Sequence, residues 1–340
     1  MRSVWLARHG GPEVLEVCER PEPVRRPGDA LIAVKACGLN HLDIWVRLGG
    51  ARGFPLPLIP GTDAAGVVIE APEGSSLSPG TEVVVYPAEG CGACPACETG
   101  NDPLCRAFRI YGAWRDGGLA ERMAVPVWNC VPKPPELDFV QAASVSVNYI
   151  TAWHMLVARA QLRAGETILV HAAGSGVSTA AIQIARFLGA RIAATSSTPE
   201  KLEHARRQGA EIAIDYRSED VAARVLEWTG GSGADVVLDH VGAPNFERSL
   251  KCLAKGGRFV TCGVTGGGEV KLDLSPLYFK GQSVLGSTMG TRGELRAILG
   301  LMGRGYFRPH VDKVFALEEI AEAHRYLESG RQTGKVVVRM

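Results

Sequence analysis

The sequence predicts a mixed α/β fold in two parts, an all-β lobe followed by a doubly wound parallel sheet of six strands. Up to about residue 130, short runs rich in Val, Ile and Ala alternate with Pro/Gly turns, and long helical periodicity is absent. From Glu166 onward there are six apolar runs, most of them followed by a helical pattern. Such alternation is typical of a parallel sheet covered on both faces, and a length of 340 residues suits two domains.

The first lobe contains three clear strand patterns and one short helix. The strands are predicted at residues 30–40, 64–71 and 82–89. The helix, HLDIWVRLG, follows Asn40. From Leu137 to Ala160 the apolar pattern becomes long and helical, and Pro134–Pro135 before it suits a helix start.

The second part contains the predicted parallel sheet. Its six strands are expected at residues 167–172, 191–196, 211–216, 235–240, 258–263 and 283–288. After the last of them, the stretch of about 290–340 returns to strands and two short helices, and it ends in GKVVVRM.

The charge balance gives no reason to expect a polyanionic partner. The chain carries 37 basic and 36 acidic side chains, for a formal net charge of +1, so neither nucleic acid nor an anionic membrane surface is favoured. No apolar stretch approaches the roughly 18 residues that a membrane span requires, and nothing near Met1 resembles a signal peptide. We therefore expect a soluble, cytoplasmic protein with a small-molecule substrate.

Four cysteines within fifteen residues predict a metal site. Cys91, Cys94, Cys97 and Cys105 follow the spacing C-x2-C-x2-C-x7-C, which lets one loop supply four thiolates to a tetrahedral zinc ion. A complete set of four leaves no open position for water or substrate, so the zinc is structural. Two disulfides are the less favoured alternative, because CxxC spacings in a cytosolic chain indicate metal or redox sites.

A glycine turn between the first strand and helix of the second part predicts a dinucleotide site. In HAAGSGVST the residues Gly174, Ser175, Gly176 and Val177 form the turn, where the pyrophosphate of a cofactor would lie at a helix N-terminus. The third small position of the motif is Ser178 rather than glycine. The motif alone is weak, and its place before the first helix of six such units strengthens it.

The end of the next strand favours NADP(H). NAD-binding proteins place an acidic residue about 20 residues past the glycines, whereas this strand ends in Thr195-Ser196-Ser197-Thr198 and Lys201 follows. Hydroxyls and a lysine suit a 2′-phosphate, and no carboxylate is present to repel it. An alternative that is compatible with this one is that Ser197 or Thr198 caps the helix that begins at Pro199.

Taken together, these features resemble the medium-chain dehydrogenase/reductase family along essentially the whole chain. Segments that match are GGLAERMAV at 117–125, TAWHML at 151–156, LDHVGAPNF at 238–246, GSTMG at 286–290 and GKVVV at 334–338. The resemblance implies a GroES-like β-barrel catalytic domain at 1–134 and 288–340, with a structural-zinc loop at 91–105, and a Rossmann NADP(H)-binding domain at 135–287. It also implies a homodimer or homotetramer paired through the edge strand SVLGSTM.

The chain departs from the zinc alcohol dehydrogenases of this family at their catalytic metal. Asn40 stands where those enzymes carry a cysteine ligand, Thr62-Asp63 where they carry His-Glu, and Val145 or Ser146 near their third ligand. Asn40 and the run PGTD instead resemble the zinc-free quinone oxidoreductases. In that group a lysine and a tyrosine that match Lys201 and Tyr216 hold the 2′-phosphate, which agrees with the missing acid.

The resemblance therefore implies an NADP(H)-dependent oxidoreductase that transfers hydride to or from a quinone, an enone or another carbonyl-type acceptor. Candidate catalytic residues are Asn40, Tyr149 and His41. Asn40 is equally interpreted as a turn residue, Tyr149 as a core aromatic, and His41 as a helix-start histidine bonded to backbone. The nicotinamide is expected near Thr151, Gly263, Val264, Ser287, Thr288 and Met289.

Two other functions fit the same sequence. One is a zinc-dependent alcohol dehydrogenase with an atypical metal site that includes His41 and Asp63. The other is a non-catalytic NADPH-binding protein, as some relatives of the quinone reductases have become. Without a Lewis-acidic zinc nothing lowers the pKa of an alcohol, so reduction of an already electrophilic acceptor is the function that the residues favour.

Overall fold

A computed structural model describes residues 1–50 and 53–340 of the chain. Seventeen strands lie within these ranges. They are β1 (Arg2–Leu6), β2 (Leu15–Glu19), β3 (Asp29–Leu39), β4 (Asp63–Glu70), β5 (Glu82–Val85), β6 (Ala88–Glu89), β7 (Arg109–Ile110), β8 (Arg122–Pro126), β9 (Cys130–Pro132), β10 (Thr167–Val170), β11 (Arg191–Ser196), β12 (Ile212–Asp215), β13 (Ala234–Asp239), β14 (Leu253–Thr261), β15 (Ser283–Gly286), β16 (Val311–Ala316) and β17 (Lys335–Arg339).

Eleven α-helices lie in the same described ranges, and none of them is long and apolar enough to cross a membrane. They are α1 (His41–Leu48), α2 (Pro95–Glu98), α3 (Phe139–Ala142), α4 (Ser146–Trp153), α5 (Gly176–Phe187), α6 (Pro199–Gln208), α7 (Val221–Trp228), α8 (Ala243–Cys252), α9 (Leu274–Phe279), α10 (Arg292–Met302) and α11 (Ile320–Glu328). A π-helical turn, His154–Arg159, continues α4.

The chain forms two compact units. The first unit comprises Met1–Ile150 and Gly290–Met340, and the second comprises Thr151–Met289. The sequence prediction assigned 135–150 to the dinucleotide-binding domain, whereas this stretch lies in the first unit. Long-range hydrogen bonds tie this stretch to the first unit: Ser146 Oγ donates to Val85 O at 2.9 Å, and the Val147 N–H donates to Asp63 at 2.8 Å.

The first unit is built on a seven-stranded sheet. Six strands follow the order β16-β17-β3-β4-β5-β9, and β8 also pairs with β3. β17 runs antiparallel to β3 with Val336 opposite Leu39, and this register places Lys335 beside the end of β3. Val4, Leu39 and Phe315 belong to one buried apolar cluster of this unit, and Ile32 and Val83 belong to another.

The second unit contains one parallel six-stranded sheet in the order β12-β11-β10-β13-β14-β15. All neighbouring pairs in it are parallel. This is the strand order of a doubly wound dinucleotide-binding sheet, in which ligands bind at the carboxyl ends of the strands. The α/β fold class predicted from the sequence is thereby confirmed, and each of the six predicted strands is present.

One predicted boundary is wrong. Pro134–Pro135 does not begin a helix; α3 begins at Phe139, because Asp138 caps it by accepting from the Gln141 N–H at 2.7 Å. The long helical pattern at 137–160 consists of α3, α4 and the π-helical turn. In the last fifty residues, α10 is eleven residues long, longer than the short helix expected there.

Candidate functional site

Asn40 lies at the junction of β3 and α1, where it is the residue that precedes the helix. Its backbone N–H donates to Asp43 Oδ2 at 2.7 Å. Its carboxamide bonds across the fold: Nδ2 donates to Asp63 Oδ2 at 3.1 Å, and Oδ1 accepts from Lys335 Nζ at 2.8 Å. The residue is half-buried, and these bonds hold its amide in place.

Asp63 and Lys335 form a buried ion pair behind Asn40. The two side chains are 0% and 4% exposed, and their Oδ2 and Nζ atoms lie 2.8 Å apart. Asp63 Oδ1 accepts from the Val147 N–H at 2.8 Å, so both carboxylate oxygens have partners. A buried ion pair is tolerated only when its remaining donors and acceptors are also satisfied, and this condition holds here.

A second buried carboxylate, Asp43, supports the same junction. Its oxygens accept from the Asn40 N–H at 2.7 Å and from the Gly61 N–H at 3.2 Å. Burial raises the pKa of Asp43 to about 7, and the Asn40 N–H and the Lys335 ammonium oppose this rise. Asp43 thus ties the start of α1 to the turn before β4.

The positions of the family's catalytic zinc ligands do not offer a metal site. Asn40 uses its carboxamide on Lys335 and Asp63, and Ser146 Oγ donates to Val85 O. Thr62 Oγ1 is buried and has no hydrogen-bond partner among the residues that the structure describes. An amide, two hydroxyls and a carboxylate already bonded to an ammonium are a poor donor set for zinc, which prefers Cys, His and free carboxylate ligands.

The other two candidate catalytic residues lie in different surroundings. Tyr149 is 1% exposed, and its ring lies 6.2 Å from that of Phe307, which matches the interpretation of a core aromatic. His41 is exposed at the first position of α1, edge-on to Trp45 at 6.2 Å between ring centres. The side chains that hydrogen-bond to the Asn40 carboxamide are those of Asp63 and Lys335, neither of which was among the three predicted catalytic residues.

The four-cysteine loop has the geometry of a zinc site. The ligand sulfurs of Cys91, Cys94, Cys97 and Cys105 all lie within 4.8 Å of one another. Cys94 and Cys97 are 3.7 Å apart and Cys91 and Cys97 are 4.0 Å apart, close to the roughly 3.8 Å between sulfurs around a tetrahedral zinc with 2.3 Å bonds. Among the metal-free thiols, the Cys91 N–H lowers the pKa of Cys105 to about 6, whereas burial raises the pKa of Cys97 to about 12, so the thiols share their protons unevenly. The residues fit a structural zinc ion.

The predicted glycine turn connects β10 to α5. Ser175 is the residue before the twelve-residue helix, and its hydroxyl accepts from the Ser178 N–H at 3.0 Å. At Gly174 an added Cβ would lie 2.7 Å from Lys201 Cδ, so a larger residue would displace the lysine. The turn thus leads into a helix N-terminus, the kind of position at which proteins bind phosphate.

Ser178, the departure from the glycine motif, has a structural role. Its hydroxyl donates to His171 O at 2.6 Å and contacts His240 Nε2 at 3.0 Å. The same His240 nitrogen contacts Ser175 Oγ at 2.9 Å. Ser178 is therefore bonded within the turn, and His240 links the hydroxyl groups of Ser175 and Ser178.

The three residues predicted to contact a 2′-phosphate lie at the same edge of the second unit. Ser196 ends β11 and is buried, and the Tyr216 N–H donates to its carbonyl at 3.1 Å. The side chain of Lys201 reaches Gly174 in the glycine turn. Thr198 accepts from the Lys201 N–H at 3.4 Å and caps α6, so the capping alternative holds for Thr198.

The predicted nicotinamide contacts follow the last strands of the same sheet. Gly263 and Val264 come after β14, and the Ser287 N–H donates to Thr261 O at 2.8 Å. Ser287 Oγ is buried without a hydrogen-bond partner in the described part of the chain, and Met289 has a φ of 48°. Thr288 is exposed, and Thr151 is buried. An orphaned hydroxyl at the carboxyl ends of parallel strands suits a bound ligand.

Lys335 is the site residue that sequence reasoning missed. The segment GKVVV was noted as a match, but the side-chain partners of its lysine, Asn40 and Asp63, are 295 and 272 positions away in the sequence. A lysine before three apolar strand residues was the available signal, because lysine is rarely buried unless it is paired.

Comparison with known proteins covers both units. The model of the alcohol dehydrogenase GroES-like domain matches residues 26–135, and that of the zinc-binding dehydrogenases matches residues 176–304. A quinone oxidoreductase of Pseudomonas aeruginosa is 36% identical, and the alignment covers 99% of each chain. An NAD-dependent alcohol dehydrogenase of Sulfurisphaera tokodaii is 33% identical over the same share of both chains.

Solved structures agree with this relationship. A crystal structure of an NAD-dependent alcohol dehydrogenase superposes with a TM-score of 0.97 at 43% identity, over 100% of both chains. The similarity therefore extends over the first unit, which contains the cysteine loop and the Asn40 cluster (Asn40, Asp63 and Lys335), and over the second unit, which contains the glycine turn.

Proposed function

Because this chain belongs to the medium-chain dehydrogenase/reductase family of oxidoreductases, we propose that it is an NADP(H)-dependent reductase of quinones, enones or related carbonyl acceptors that works without a catalytic zinc. The family fold binds a nicotinamide cofactor, and the second unit carries the corresponding sheet and glycine turn. The acceptor and the choice between NAD and NADP are part of the proposal.

The observation that carries the proposal is the ammonium group of Lys335 bonded to Asp63 and Asn40 at 2.8 Å. The ammonium group already occupies the side-chain oxygens of Asn40 and Asp63, the atoms that could otherwise bind a metal. A divalent ion would have to displace this buried cation against charge repulsion. Without a metal to lower the pKa of the hydroxyl, oxidation of an unactivated alcohol is harder at neutral pH. Reduction of a conjugated acceptor needs instead a hydrogen-bond donor for the oxygen that becomes negative.

Asn40 supplies that donor in the proposed reaction. Its Nδ2 bonds to Asp63 at 3.1 Å and only weakly, at 3.5 Å, to Gly38 O, which leaves one N–H for an acceptor oxygen. A preorganised amide donor stabilises charge as it develops and needs no proton transfer of its own. Tyr149 and His41 remain proposed as a second donor and a proton relay, in that order.

In the second unit the proposed cofactor contacts divide by function. Gly174, Ser175, Gly176 and Val177 hold the pyrophosphate, Ser196, Lys201 and Tyr216 hold the 2′-phosphate, and Thr151, Gly263, Val264, Ser287, Thr288 and Met289 orient the nicotinamide. When bound, the nicotinamide supplies the hydride chemistry, while the protein orients the ring and excludes water.

The structural zinc is proposed to brace the loop at 91–105 and to take no part in chemistry. Its four thiolates leave no open coordination position. The loop is anchored to the same unit by Asp102, which pairs with Arg292 at 3.4 Å. The chain would therefore hold one zinc ion, in contrast to a dehydrogenase that holds a second, catalytic ion.

Metal analysis together with an acceptor screen tests the proposal. We expect one zinc per chain and NADPH consumption with quinones or enones, and mild chelation should leave turnover unchanged because the reaction does not use the metal. A strong chelator that strips the cysteine loop should lower the thermal midpoint, since structural zinc sites contribute folding free energy.

Two results would favour the alternatives. Two zinc ions per chain, with alcohol oxidation abolished by mild chelation, would establish the atypical zinc alcohol dehydrogenase, the function suggested by the name of the Sulfurisphaera relative. Tight NADPH binding without hydride transfer to any member of the panel would establish the non-catalytic protein. A panel of quinones, enones, aldehydes and alcohols separates the three.

Replacing Lys201 by alanine should weaken NADPH binding selectively. A charge-assisted hydrogen bond contributes about 1.5–3 kcal/mol, so we expect about a 10- to 100-fold rise in the Kd for NADPH. The Kd for NADH should stay unchanged, because NADH lacks the 2′-phosphate. Fluorescence titration of both cofactors measures this, with Lys255→Ala, at an exposed lysine of β14, as the matched control. Equal binding of NADH and NADPH by the unaltered protein would contradict the cofactor assignment.

The exposed edge of the second unit supports self-association. β15 ends the six-stranded sheet and pairs on one side with β14. Val284 on this strand is 40% exposed, and Tyr278 and Phe279 of the adjoining α9 are 76% and 79% exposed. Because an edge strand with apolar neighbours is a template for pairing, we propose a homodimer, or a tetramer of two such dimers. A solution mass of one chain by light scattering would contradict this.

A further inference from the structure

The buried ammonium group of Lys335 is fully coordinated by the site. Its three N–H groups match three acceptors at 2.8 Å each, namely Leu39 O, Asn40 Oδ1 and Asp63 Oδ2. A lysine ammonium has three donors and no acceptor, so none remains for water. The side chain is 4% exposed, and a charge held in this way keeps one position.

The bonds of Lys335 determine the orientation of the Asn40 amide. Oδ1 must face the ammonium and Nδ2 must face the carboxylate of Asp63, because the reverse placement would oppose donor to donor and acceptor to acceptor. One N–H then lies on Asp63 at 3.1 Å, and the other has Gly38 O at 3.5 Å, at the limit of a hydrogen bond. The weakly bonded N–H belongs to a half-buried side chain.

We infer that Lys335 is a positioning residue for the proposed reaction, which fixes the carboxamide of Asn40 and polarises it toward an acceptor oxygen. The inference rests on the proposed function, in which Asn40 touches the acceptor. An ammonium bonded to the amide oxygen draws electron density from the conjugated nitrogen, and linked hydrogen bonds strengthen one another in a low-dielectric site. The N–H of Asn40 therefore becomes a better donor than that of a free amide.

A second buried lysine in the same unit shows the difference from a purely structural pair. Lys133 is also 4% exposed and pairs at 2.9 Å with Glu82, whose side chain is 48% exposed. Its other acceptors are the backbone carbonyls of Pro134 and Leu137, so it orients no side-chain amide. A buried ion pair on its own is weak evidence for a role in stability. What distinguishes Lys335 is its hydrogen bond to the carboxamide of Asn40, a half-buried residue.

The test removes the charge without leaving a buried carboxylate unpaired. Lys335→Met is combined with Asp63→Asn in the full chain, with and without Asn40→Ala, and kcat is measured with the acceptor that the screen identifies. The chain has five asparagines, so selective ¹⁵N-asparagine labelling also allows hydrogen exchange of the Asn40 side-chain amide to be followed by NMR. The matched control is Lys133→Met with Glu82→Gln.

If Lys335 acts through Asn40, the double variant should lower kcat about 10-fold or more when Asn40 is present and hardly at all when it is absent, since coupled residues are not additive. Exchange of the Asn40 amide should accelerate about 10-fold as its bonds loosen, and Lys335→Arg should restore most of both. The Lys133 control should change neither. Equal losses of kcat in both backgrounds, or unchanged exchange, would overturn the inference.

The two readouts separate this inference from the proposed function. If the unaltered protein reduces no acceptor, the proposed function fails, and exchange of the Asn40 amide alone decides whether Lys335 holds it. If the double variant does not fold, as judged by circular dichroism, Lys335→Gln with Asp63→Asn takes its place, because it keeps a hydrogen-bond donor and removes the charge.

Discussion

Replacing Asn40 by alanine is expected to lower kcat by about 100-fold or more, because removal of one preorganised oxyanion donor costs about 10²–10³ in rate. The Kd for NADPH should not change, since all of the proposed cofactor contacts belong to the second unit. The substitution also leaves one N–H of Lys335 and one lone pair of Asp63 without partners, at a cost of about 1–3 kcal/mol in stability. Steady-state kinetics well below the thermal midpoint separate the two effects.

Asn129→Ala is the matched control for this experiment. Asn129 is 1% exposed in the same unit, and its Nδ2 donates to Ala88 O at 2.8 Å. Its loss should lower stability to a similar extent and leave kcat unchanged. An Asn40→Ala protein with the turnover of the unaltered chain would remove Asn40 from the mechanism and return it to the role of a turn residue.

Replacing His324 by leucine is expected to make the protein more resistant to acid by about 2–3 kcal/mol at pH 4.5. Burial, helped by the cation of Arg47, lowers the pKa of His324 to about 3. An unfolded histidine binds a proton below about pH 6.5, so between the two values the unfolded state binds more protons. The contribution of His324 to stability is therefore lost as the pH falls below 6.5.

The same substitution should not harm stability at pH 8. Neither nitrogen of His324 has a hydrogen-bond partner within the described ranges, so leucine breaks no bond there. Asp43, whose pKa is raised to about 7, changes stability with the opposite sign, and its effect cancels in the comparison of the two proteins. Urea unfolding at pH 8 and pH 4.5 measures the difference, with His9→Gln, at an exposed histidine, as the control. Equal acid sensitivity of the His324→Leu protein would contradict the prediction.

Several features of the site could be predicted from the sequence because they are local. Cys91, Cys94, Cys97 and Cys105 lie close along the chain, and their sulfurs come within 4.8 Å of one another. Residues of one short loop are close in space because they are close in sequence. The glycine turn before α5 and the cap of α6 at Thr198 are equally short-range. The helix start at Pro134–Pro135 was mispredicted because the capping interaction of Asp138, three residues later, determines where α3 begins.

The roles within the Asn40 cluster could not be predicted in the same way. The sequence left Asn40 evenly between a turn residue and a donor, and it assigned no role to Lys335. The structure favours the donor role of Asn40, because β17 pairs with β3 and brings Lys335 to Asn40 although they are 295 positions apart. Strand pairing at this distance depends on the whole sheet and leaves no periodic signal in either segment.

The sequence by itself determined the fold class and the cysteine cluster, because apolar periodicity and ligand spacing are properties of neighbouring residues. The family resemblance added that zinc ligands are missing at Asn40, Thr62 and Ser146. Only the tertiary structure decided what replaces those ligands. Burial makes an unpaired charge costly, so Asp63 requires a partner, and the sheet supplies Lys335. A chain whose spacing first indicates a zinc protein thus presents, beside Asn40, the ammonium group of a lysine.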